Sequence, residues 1–151
     1  MHDCFATIYN MNSNNTNSGG WKSSDMRAST MPLMKGYLPA AWQTAIKPVN
    51  KYSGSGGTLG GTTKVSDECF LLSEIEIFGS TTHSVSGEGT QYAYYKAGNS
   101  KVKNQNGSAS YWWERSPDSG SSNRFCFVKN NGDAITNFAS GSFGVAFGFC
   151  V

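Results

Sequence analysis

The C-terminal stretch from residue 108 to residue 151, SASYWWERSPDSGSSNRFCFVKNNGDAITNFASGSFGVAFGFCV, decides the fold. It contains Asn131-Gly132, a strong turn signal for a β-hairpin. β-prone residues precede this turn at 123–129 and follow it at 133–139, so the pattern predicts two antiparallel strands. We therefore expect a small antiparallel sheet to form the centre of the C-terminal third.

The closing run from residue 144 to residue 151 predicts a core strand that is apolar on both faces. Val145, Phe147 and Phe149 fall on one face, together with Val151, and small residues fall on the other. A strand that is apolar on both sides is expected to be central, with a paired neighbour on each side. The closing strand is therefore assigned to the frame of the domain.

Two kinds of residue are interspersed between positions 108 and 143. The frame-like positions are Trp112, Trp113, Pro117, Cys126, Val128, Gly132, Ala134 and Ala139. The chemically assorted positions are Tyr111, Asp118, Arg124, Phe127, Asp133, Ile135, Phe138 and Phe143. A rigid frame that carries assorted side chains indicates a binding face, with aromatic anchors and directional polar contacts. The alternative is that the aromatic side chains pack in a small satellite core.

The composition excludes several classes of protein. A chain of 151 residues fits one domain that can bury a core, and its 13% aromatic content argues against disorder. The formal net charge is +2 and the lysines are scattered, so we expect no nucleic-acid partner. No apolar run is long enough to cross a bilayer, and we expect no membrane insertion. The 18 glycines indicate many turns.

The cysteines do not form a recognisable site in the sequence. Cys4, Cys69, Cys126 and Cys150 lie far apart, and no CxxC spacing indicates a zinc or thioredoxin-like centre. Each cysteine has apolar neighbours, which is typical of core thiols, while a disulfide remains the alternative. We expect neither a metal ion nor a cofactor.

The N-terminal half predicts a short strand, a loop and two short helices. Residues 4–9 are β-prone, and 12–20 form a polar loop with nothing that could offset the cost of burial. The first helix begins within 21–27, with Ser23 or Ser24 as its cap and a kink or division at Pro32. The second spans 40–47. The side chains expected inside are Met26, Thr30, Leu33, Met34 and Tyr37 in the first helix, and Trp42, Ala45 and Ile46 in the second.

The middle of the chain predicts further strands. Residues 49–52 and 62–65 flank a glycine-rich loop, and 68–72 form the most apolar run, which indicates a central strand. In the following segment Glu74 and Glu76 could act in acid–base chemistry. Their alternation with isoleucines favours a strand with solvated carboxylates and buried Ile75 and Ile77.

These elements predict an α+β domain that spans residues 1–151, with two short helices packed on small antiparallel sheets and many loops. Residues 1–20 are expected to be loosely ordered or to be the remnant of an N-terminal strand. Residues 108–143 are expected to be the binding region, and 144–151 the closing core strand.

Six motifs occur in a particular order along the chain. They are GW with SDMR in 20–27, LP with IKPV in 38–49, FLLSE at 70–74, EGTQY at 88–92, WWERSP at 112–117 and GVAFGFCV at 144–151. In this order they resemble a bacterial and phage domain related to the formylglycine-generating-enzyme-like branch of the C-type lectin fold. The resemblance implies a C-type lectin-like fold from Trp21 to Val151.

The terminal third also resembles the variable proteins of diversity-generating retroelements. In such systems AAC codons are rewritten as NNC, which cannot encode Met, Trp, Lys, Gln or Glu. All of the assorted positions are reachable by NNC, Lys129 is not, and Asn123, Asn130, Asn131 and Asn137 would be unmutated asparagines. The resemblance extends the expected ligand-binding set, which becomes Tyr111, Asp118, Ser122, Arg124, Phe127, Asp133, Ile135, Thr136, Phe138, Ser140 and Phe143.

The expected function is therefore a display domain that binds a protein or glycan on a cell or virion surface, and not an enzyme. An enzyme of the sulfatase-modifying branch would need a reactive cysteine pair, and calcium-dependent sugar binding would need Glu-Pro-Asn or Trp-Asn-Asp motifs, which are absent. The other alternative is a structural domain of a virion or cell-surface assembly. The expected location is the virion or bacterial surface, and the sequence leaves open an oligomer or a longer parent protein.

Overall fold

The computed structural model of the chain describes residues 6–151, and the side chains of residues 8–151. The strands are β1 Ala6–Tyr9, β2 Val49–Gly54, β3 Thr62–Asp67, β4 Cys69–Leu71, β5 Lys103–Gln105, β6 Ser108–Ser110, β7 Trp112–Pro117, β8 Arg124–Val128, β9 Ala134–Phe138, β10 Phe143–Val145 and β11 Phe147–Phe149. The helical segments are a 3₁₀ turn Gly20–Ser23, a π-helical turn Met26–Thr30, α1 Met31–Gly36, α2 Ala40–Ala45, α3 Glu74–Phe78 and α4 Ala93–Lys96. Short helices, small sheets and long loops make this an α+β structure, as expected.

The largest sheet has five strands in the order β1-β10-β7-β8-β9. The predicted hairpin is confirmed as β8 and β9, whose register pairs Phe127 with Ile135 and Arg124 with Phe138. Its turn closes with the Gly132 N–H donating to the Lys129 carbonyl over 2.9 Å. Strand β7 pairs antiparallel with β8 and parallel with β10, so the two buried tryptophans of β7 lie at the centre of the sheet.

The prediction of one closing strand is wrong. The run divides at Ala146 into β10, which lies between β1 and β7 as a central strand should, and β11, which pairs only with β4. Val151 is 72% exposed because the chain leaves the paired region after a single bridge between Lys47 and Cys150. The division lets one apolar run supply partners to two different sheets.

Strand β1 is a member of the large sheet, so the described part of 1–20 agrees with the second of the two alternatives, an N-terminal strand, and not with loose order. Ala6 pairs with Val145, and the N–H groups of Met11 and Asn12 both donate to the carbonyl of Ala139. Residues 4 and 5 of the predicted strand lie outside the described residues. Strand β1 is therefore the neighbour of β10 on the side away from β7.

The loop at 12–20 contains a buried asparagine, which contradicts the expectation that nothing there could offset burial. Asn17 is 0% exposed, and its Nδ2 donates to the carbonyls of Asp118, Ser121 and Arg124 at 3.2, 2.7 and 2.8 Å. Its Oδ1 accepts from the Gly57 N–H at 2.7 Å. Because every polar atom of the carboxamide is hydrogen-bonded, burial carries no large desolvation penalty.

The first predicted helix is divided before Pro32, as expected, because α1 places this proline in its first turn. Ser24 Oγ accepts the N–H of Arg27 and acts as the predicted cap. Met26, Thr30 and Met34 are buried as predicted, whereas Leu33 and Tyr37 are exposed, because the π-helical turn changes the period of the buried face. Those two side chains were wrongly placed inside.

The second helix spans Ala40–Ala45 and contributes no buried residue. Ile46, directly after it, is buried as predicted, but Trp42 is 53% exposed and Ala45 is also exposed. Trp42 packs edge-on against Phe149 at 5.6 Å between ring centroids, on the surface. The expectation that Trp42 and Ala45 point inward is wrong because this helix is too short to cover the core with a full face.

The middle strands are partly as predicted. Strands β2 and β3 form the expected hairpin, from Val49 opposite Asp67 to Gly54 opposite Thr62. Strand β4 is fully buried, but β11 is its partner in a two-stranded sheet, so its central position in a large sheet is wrong. Its burial comes from packing against α1 and β7 instead.

The segment after β4 is a helix and not the expected strand. Ser73 and Glu76 form a capping box at the start of α3, in which the Ser73 Oγ accepts the Glu76 N–H and Glu76 Oε2 accepts the Ser73 N–H. Ile77 is buried as expected, but Glu74 and Glu76 are buried too. None of the helices between residues 6 and 151 has the length and apolar character needed to cross a membrane.

Candidate binding site on the C-terminal sheet

An open pocket of about 260 Å³ lies on the five-stranded sheet. Its walls come from the C-terminal third: the residue before β7, strand β8 with the residue that follows it, and strands β9 and β10. Six side chains line it: Tyr111, Phe127, Lys129, Ile135, Asn137 and Phe143. Four of the six belong to the ligand-binding set expected from the sequence.

An aromatic stack forms the floor of the pocket. The rings of Phe127 and Phe143 are stacked with centroids 4.6 Å apart, and Trp113 lies 4.7 Å from Phe143. Tyr111 stands 5.7 Å from Phe127 and 5.6 Å from Phe143. Trp113 is fully buried, and its Nε1 donates to the carbonyl of Tyr9 at 2.7 Å, so β1 fixes the orientation of the floor.

The anchors differ in accessibility. Tyr111 and Ile135 are 40% and 39% exposed, whereas Phe127 is 5% exposed and Phe143 is half-buried. The alternative interpretation of a satellite core therefore applies to Phe127, which supports the pocket from below. Tyr111 and Ile135 are the side chains that a ligand would meet first.

Lys129 and Asn137 add polar groups to the pocket, and the sequence-based set missed both. Lys129 was left out because an NNC codon cannot encode lysine, and Asn137 was assigned to the unmutated asparagines. The period of two along the hairpin could have found them, because Lys129 follows Phe127 by two residues on one strand and Asn137 follows Ile135 by two on the other.

Arg124, Thr136 and Phe138 lie on the opposite face of the hairpin. Arg124 and Phe138 are paired in the register, three positions from the pair of Phe127 with Ile135, and alternate residues face opposite sides of a sheet. The Arg124 guanidinium lies over the Phe138 ring, 4.6 Å from its centroid, and Phe138 is 44% exposed. The expected single binding face is thus two patches that share strand β9.

The remaining predicted residues lie in the turns. Asp118 Oδ1 accepts the Gly120 N–H at 2.9 Å, and Asp133 Oδ2 accepts from the Asn131 side chain at 2.7 Å. Both carboxylates therefore hold their own turns. Two further residues bond to the N-terminal loop through their main chain: the Ser122 carbonyl accepts from Asn17, and the Ser140 N–H donates to Asn15.

A second cluster of titratable groups surrounds Glu76 in the core. Its Oε1 accepts from Lys51 Nζ at 3.0 Å, and its Oε2 accepts from Arg115 Nη1 at 2.5 Å. Burial alone would raise the pKa of Glu76, but the Arg115 guanidinium and the Lys51 ammonium outweigh it and hold the pKa below its usual value. Tyr92 Oη lies 2.7 Å from Lys51 Nζ and completes the cluster.

Three more carboxyl groups are fully buried nearby. Glu74 accepts from the N–H groups of His83 and Ser84, and Glu88 accepts from the Gly54 N–H and the Ser116 hydroxyl. Burial raises the pKa of Glu88 to about 6. Within residues 6–151, neither carboxyl oxygen of Glu114 has a hydrogen-bond partner, and burial raises its pKa well above the usual value.

The interpretation of Glu74 and Glu76 as solvated carboxylates is therefore wrong. Partners outside the local segment satisfy them inside the core: Arg115 bonds Glu76, and the N–H groups of His83 and Ser84 bond Glu74. These contacts cannot be read from the local alternation. All four glutamates are at most 4% exposed. The hydrogen bonds of Glu74, Glu76 and Glu88 hold α3, β7 and the loop at 83–92 together.

The described cysteines are free thiols. Cys69 and Cys126 are buried, and burial raises the pKa of Cys69 to about 11, while Cys150 is exposed. Cys4 lies outside the described residues. Within residues 6–151 no three His, Cys, Asp or Glu side chains come together in a way that could hold a metal ion.

Comparison with known proteins gives one match. A protein-family model described as a domain of unknown function (DUF6273) matches residues 1–151. No curated protein and no solved structure matches the chain.

Proposed function

This chain belongs to the family of the domain of unknown function DUF6273, and we propose its function from its own geometry. It is a display domain that binds a protein or glycan target through its C-terminal sheet. The observation that carries the proposal is the open aromatic pocket, which Tyr111, Phe127 and Phe143 line together with Ile135. Lys129 and Asn137 also line it and can make polar contacts. Exposed aromatic anchors beside a few polar groups are typical of recognition sites.

Rigidity supports this function. The pocket floor rests on Trp113, which is fully buried and hydrogen-bonded to β1, and its strand β7 is paired with β8 on one side and with β10 on the other. A preorganised surface loses less conformational entropy when a ligand binds. The side chains above the floor can therefore differ in chemistry while the frame beneath them is unchanged.

The proposal extends to the origin of the binding face. We propose that the domain has the C-type lectin fold, in its formylglycine-generating-enzyme-like branch. We also propose that residues 108–143 are diversified by a retroelement in a phage or bacterial surface receptor-binding protein. The motif order from Trp21 to Val151 and the NNC-compatible residues support this. The neighbouring DNA should then hold a near-copy of the coding region for this segment, with AAC at the varied codons, beside a reverse transcriptase gene. A genome without such a repeat contradicts the diversification.

Binding is tested with a pair of matched tyrosine variants. Tyr111→Ala removes an anchor that is 40% exposed at the pocket, and Tyr52→Ala removes a tyrosine that is 43% exposed on β2 in a different sheet. On a glycan array and on displayed peptides, Tyr111→Ala should lose about tenfold or more in affinity while Tyr52→Ala retains it. Equal binding by both variants would show that the pocket is not the site. Phe127 is unsuitable for this test because its removal would disturb the core.

A structural role in a virion or cell-surface assembly is the second candidate. It is favoured by an apolar surface that Trp42, Ala45, Phe149 and Val151 line, with a concavity of about 260 Å³. Exposed apolar patches of this kind occur at assembly interfaces. In that case Trp42→Ser would change the assembly state in a sedimentation experiment, whereas Tyr111→Ala would have no effect on any function.

A further inference from the structure

Strand β9 is an edge of the five-stranded sheet, and β8 is its one paired neighbour in the described chain. The Lys129 N–H donates to the Asp133 carbonyl and the Ala139 N–H donates to the Asn123 carbonyl, each over 2.8 Å. These bonds set the phase of the antiparallel ladder, in which alternate residues turn their backbone groups toward the partner strand. Ala134 and Thr136 therefore turn their N–H and C=O groups outward.

The outward edge is open over a short length. At its C-terminal end the Phe138 N–H donates to the Asn137 side chain at 2.7 Å, and the Phe138 carbonyl accepts from the Gly141 N–H at 2.8 Å. Between Ala134 and Thr136, no group from residues 6–151 takes the outward backbone groups. A long free edge would invite uncontrolled pairing, whereas a short one suits a short segment of another chain.

The two patches of predicted binding residues flank this edge on opposite faces. The aromatic pocket with Ile135 and Asn137 lies on one side of β9, and Thr136 and Phe138 lie on the other. A strand that pairs with β9 would alternate its own side chains between these two faces. One bound segment would then contact both patches, although they do not form one surface.

Both faces carry a cation next to β9. Lys129 lines the pocket on one face, and on the other the Arg124 guanidinium already reaches over the Phe138 ring. The nearby carboxylates of Asp118 and Asp133 accept hydrogen bonds within their own turns. An added strand would therefore meet one cation on each face, Lys129 on the pocket face and Arg124 on the other. The carboxylate next to Lys129 in the hairpin register, that of Asp133, is held by the Asn131 side chain. The pocket volume of about 260 Å³ lies below the range of about 300–1,000 Å³ typical of small-molecule sites and suits a single anchor side chain.

We propose that β9 is the docking edge for an extended acidic segment of a protein partner. The segment adds to the sheet as a further strand, inserts one apolar side chain into the pocket, and directs carboxylates to Lys129 on one face and Arg124 on the other. This inference rests on the proposed function, since it names the partner chemistry of the same pocket. Arg124 begins β8 and Lys129 directly follows it, five positions along the chain. The acidic residues should therefore be about five positions, or about 16 Å, apart.

The test uses a random library of short displayed peptides, selected on the whole protein and counter-selected on Tyr111→Ala. The selected peptides should share two acidic residues on either side of an apolar one. The best peptide is then titrated by fluorescence anisotropy against Thr136→Pro and Thr136→Val. Proline removes the outward N–H and blocks pairing at the edge, while valine keeps that N–H.

Affinity should fall about tenfold or more for Thr136→Pro and stay within about twofold for Thr136→Val. Lys129→Glu should weaken binding as well, more strongly at low salt. Equal affinity of the proline and valine variants overturns the edge pairing. In that case a loss of peptide affinity in Tyr111→Ala still supports the pocket as the binding site. If no peptide prefers the native protein to Tyr111→Ala, the protein-segment inference falls, and binding to a glycan array decides the proposed function by itself.

A second measurement does not depend on the folding of a variant. The selected peptide is synthesised with N-methyl groups on alternate residues, in the two possible phases. One phase should abolish binding to the native protein, because its N–H groups pair with β9, and the other should be tolerated. If both phases bind equally well, the peptide does not form a strand on this edge and the inference is overturned.

Discussion

At the residue scale, the glutamate that lacks any partner gives the sharpest expectation. Glu114 is fully buried, neither carboxyl oxygen is hydrogen-bonded to any group in the described part of the chain, and burial raises its pKa well above the usual value. A group whose folded-state pKa is raised favours folding while it stays protonated. This contribution to the free energy of unfolding is complete below the pKa of the unfolded state, about 4.3, and is lost as the pH rises through the pKa of the folded state. It amounts to about 1.4 kcal/mol for each unit by which folding raises the pKa.

We expect Glu114→Gln to be more stable than the native chain at neutral pH, with the difference growing from about pH 4 upward. Gln keeps the shape of the side chain and cannot ionise. The measurement is the free energy of unfolding in denaturant across this pH range. Subtracting the variant from the native chain removes the contributions of Glu76 and Glu88, which are present in both. A difference that does not change with pH would mean that Glu114 does not titrate in the folded state.

The pair of Glu76 and Arg115 carries a second expectation. Removal of one partner from a buried ion pair leaves an uncompensated charge, which costs about 3–5 kcal/mol. Glu76→Gln should therefore destabilise the fold by about this amount, since Arg115 is 0% exposed. The control is Glu68→Gln, which breaks the exposed pair with Lys35 and should cost at most about 1 kcal/mol. Chemical denaturation of both variants gives the comparison, and similar losses would refute the structural role of the buried pair.

At the element scale, one side chain of the N-terminal loop organises the turn between β7 and β8. The Nδ2 of Asn17 bonds three carbonyls of residues 118–124, and its Oδ1 bonds Gly57. Asn17→Asp would replace the donor by an oxygen that faces those carbonyls, so the expected loss is about 3 kcal/mol or more. Hydrogen exchange in 118–124 should accelerate as well. Asn14→Asp, at an exposed position of the same loop, should have little effect; an equal loss there would assign the effect to the added charge.

At the scale of the whole molecule, the first described strand connects the N-terminus to the binding site. Strand β1 covers the edge of β10, and its Tyr9 carbonyl holds the indole of Trp113 under the pocket. Deletion of residues 1–9 should lower the melting temperature and expose β10 to aggregation, because both the pairing and the indole bond are lost. Ile8→Ser changes a side chain that is 61% exposed, so it should neither lower the melting temperature nor cause aggregation. Thermal unfolding with size-exclusion chromatography checks both, and an unchanged melting temperature after the deletion would contradict the role of β1.

The sequence by itself determined the elements whose signals are local. The turn at Asn131-Gly132, the hairpin around it, the hairpin of β2 and β3, the Ser24 cap and the division at Pro32 depend on contacts within a few residues, and period and turn chemistry report those contacts directly.

Only the tertiary structure decided the burial and position of residues whose partners are remote in the sequence. Asn17 and Glu76 are polar in any local pattern, and their burial depends on carbonyls and a guanidinium about 100 and 39 positions away along the chain. The same holds for the closing run, which two sheets divide, and for the predicted binding residues, which the pairing of β8 with β9 distributes over two faces. The physical reason is that a buried polar group is stable only where a partner satisfies it, and a strand is an edge only where one of its two sides has no paired neighbour.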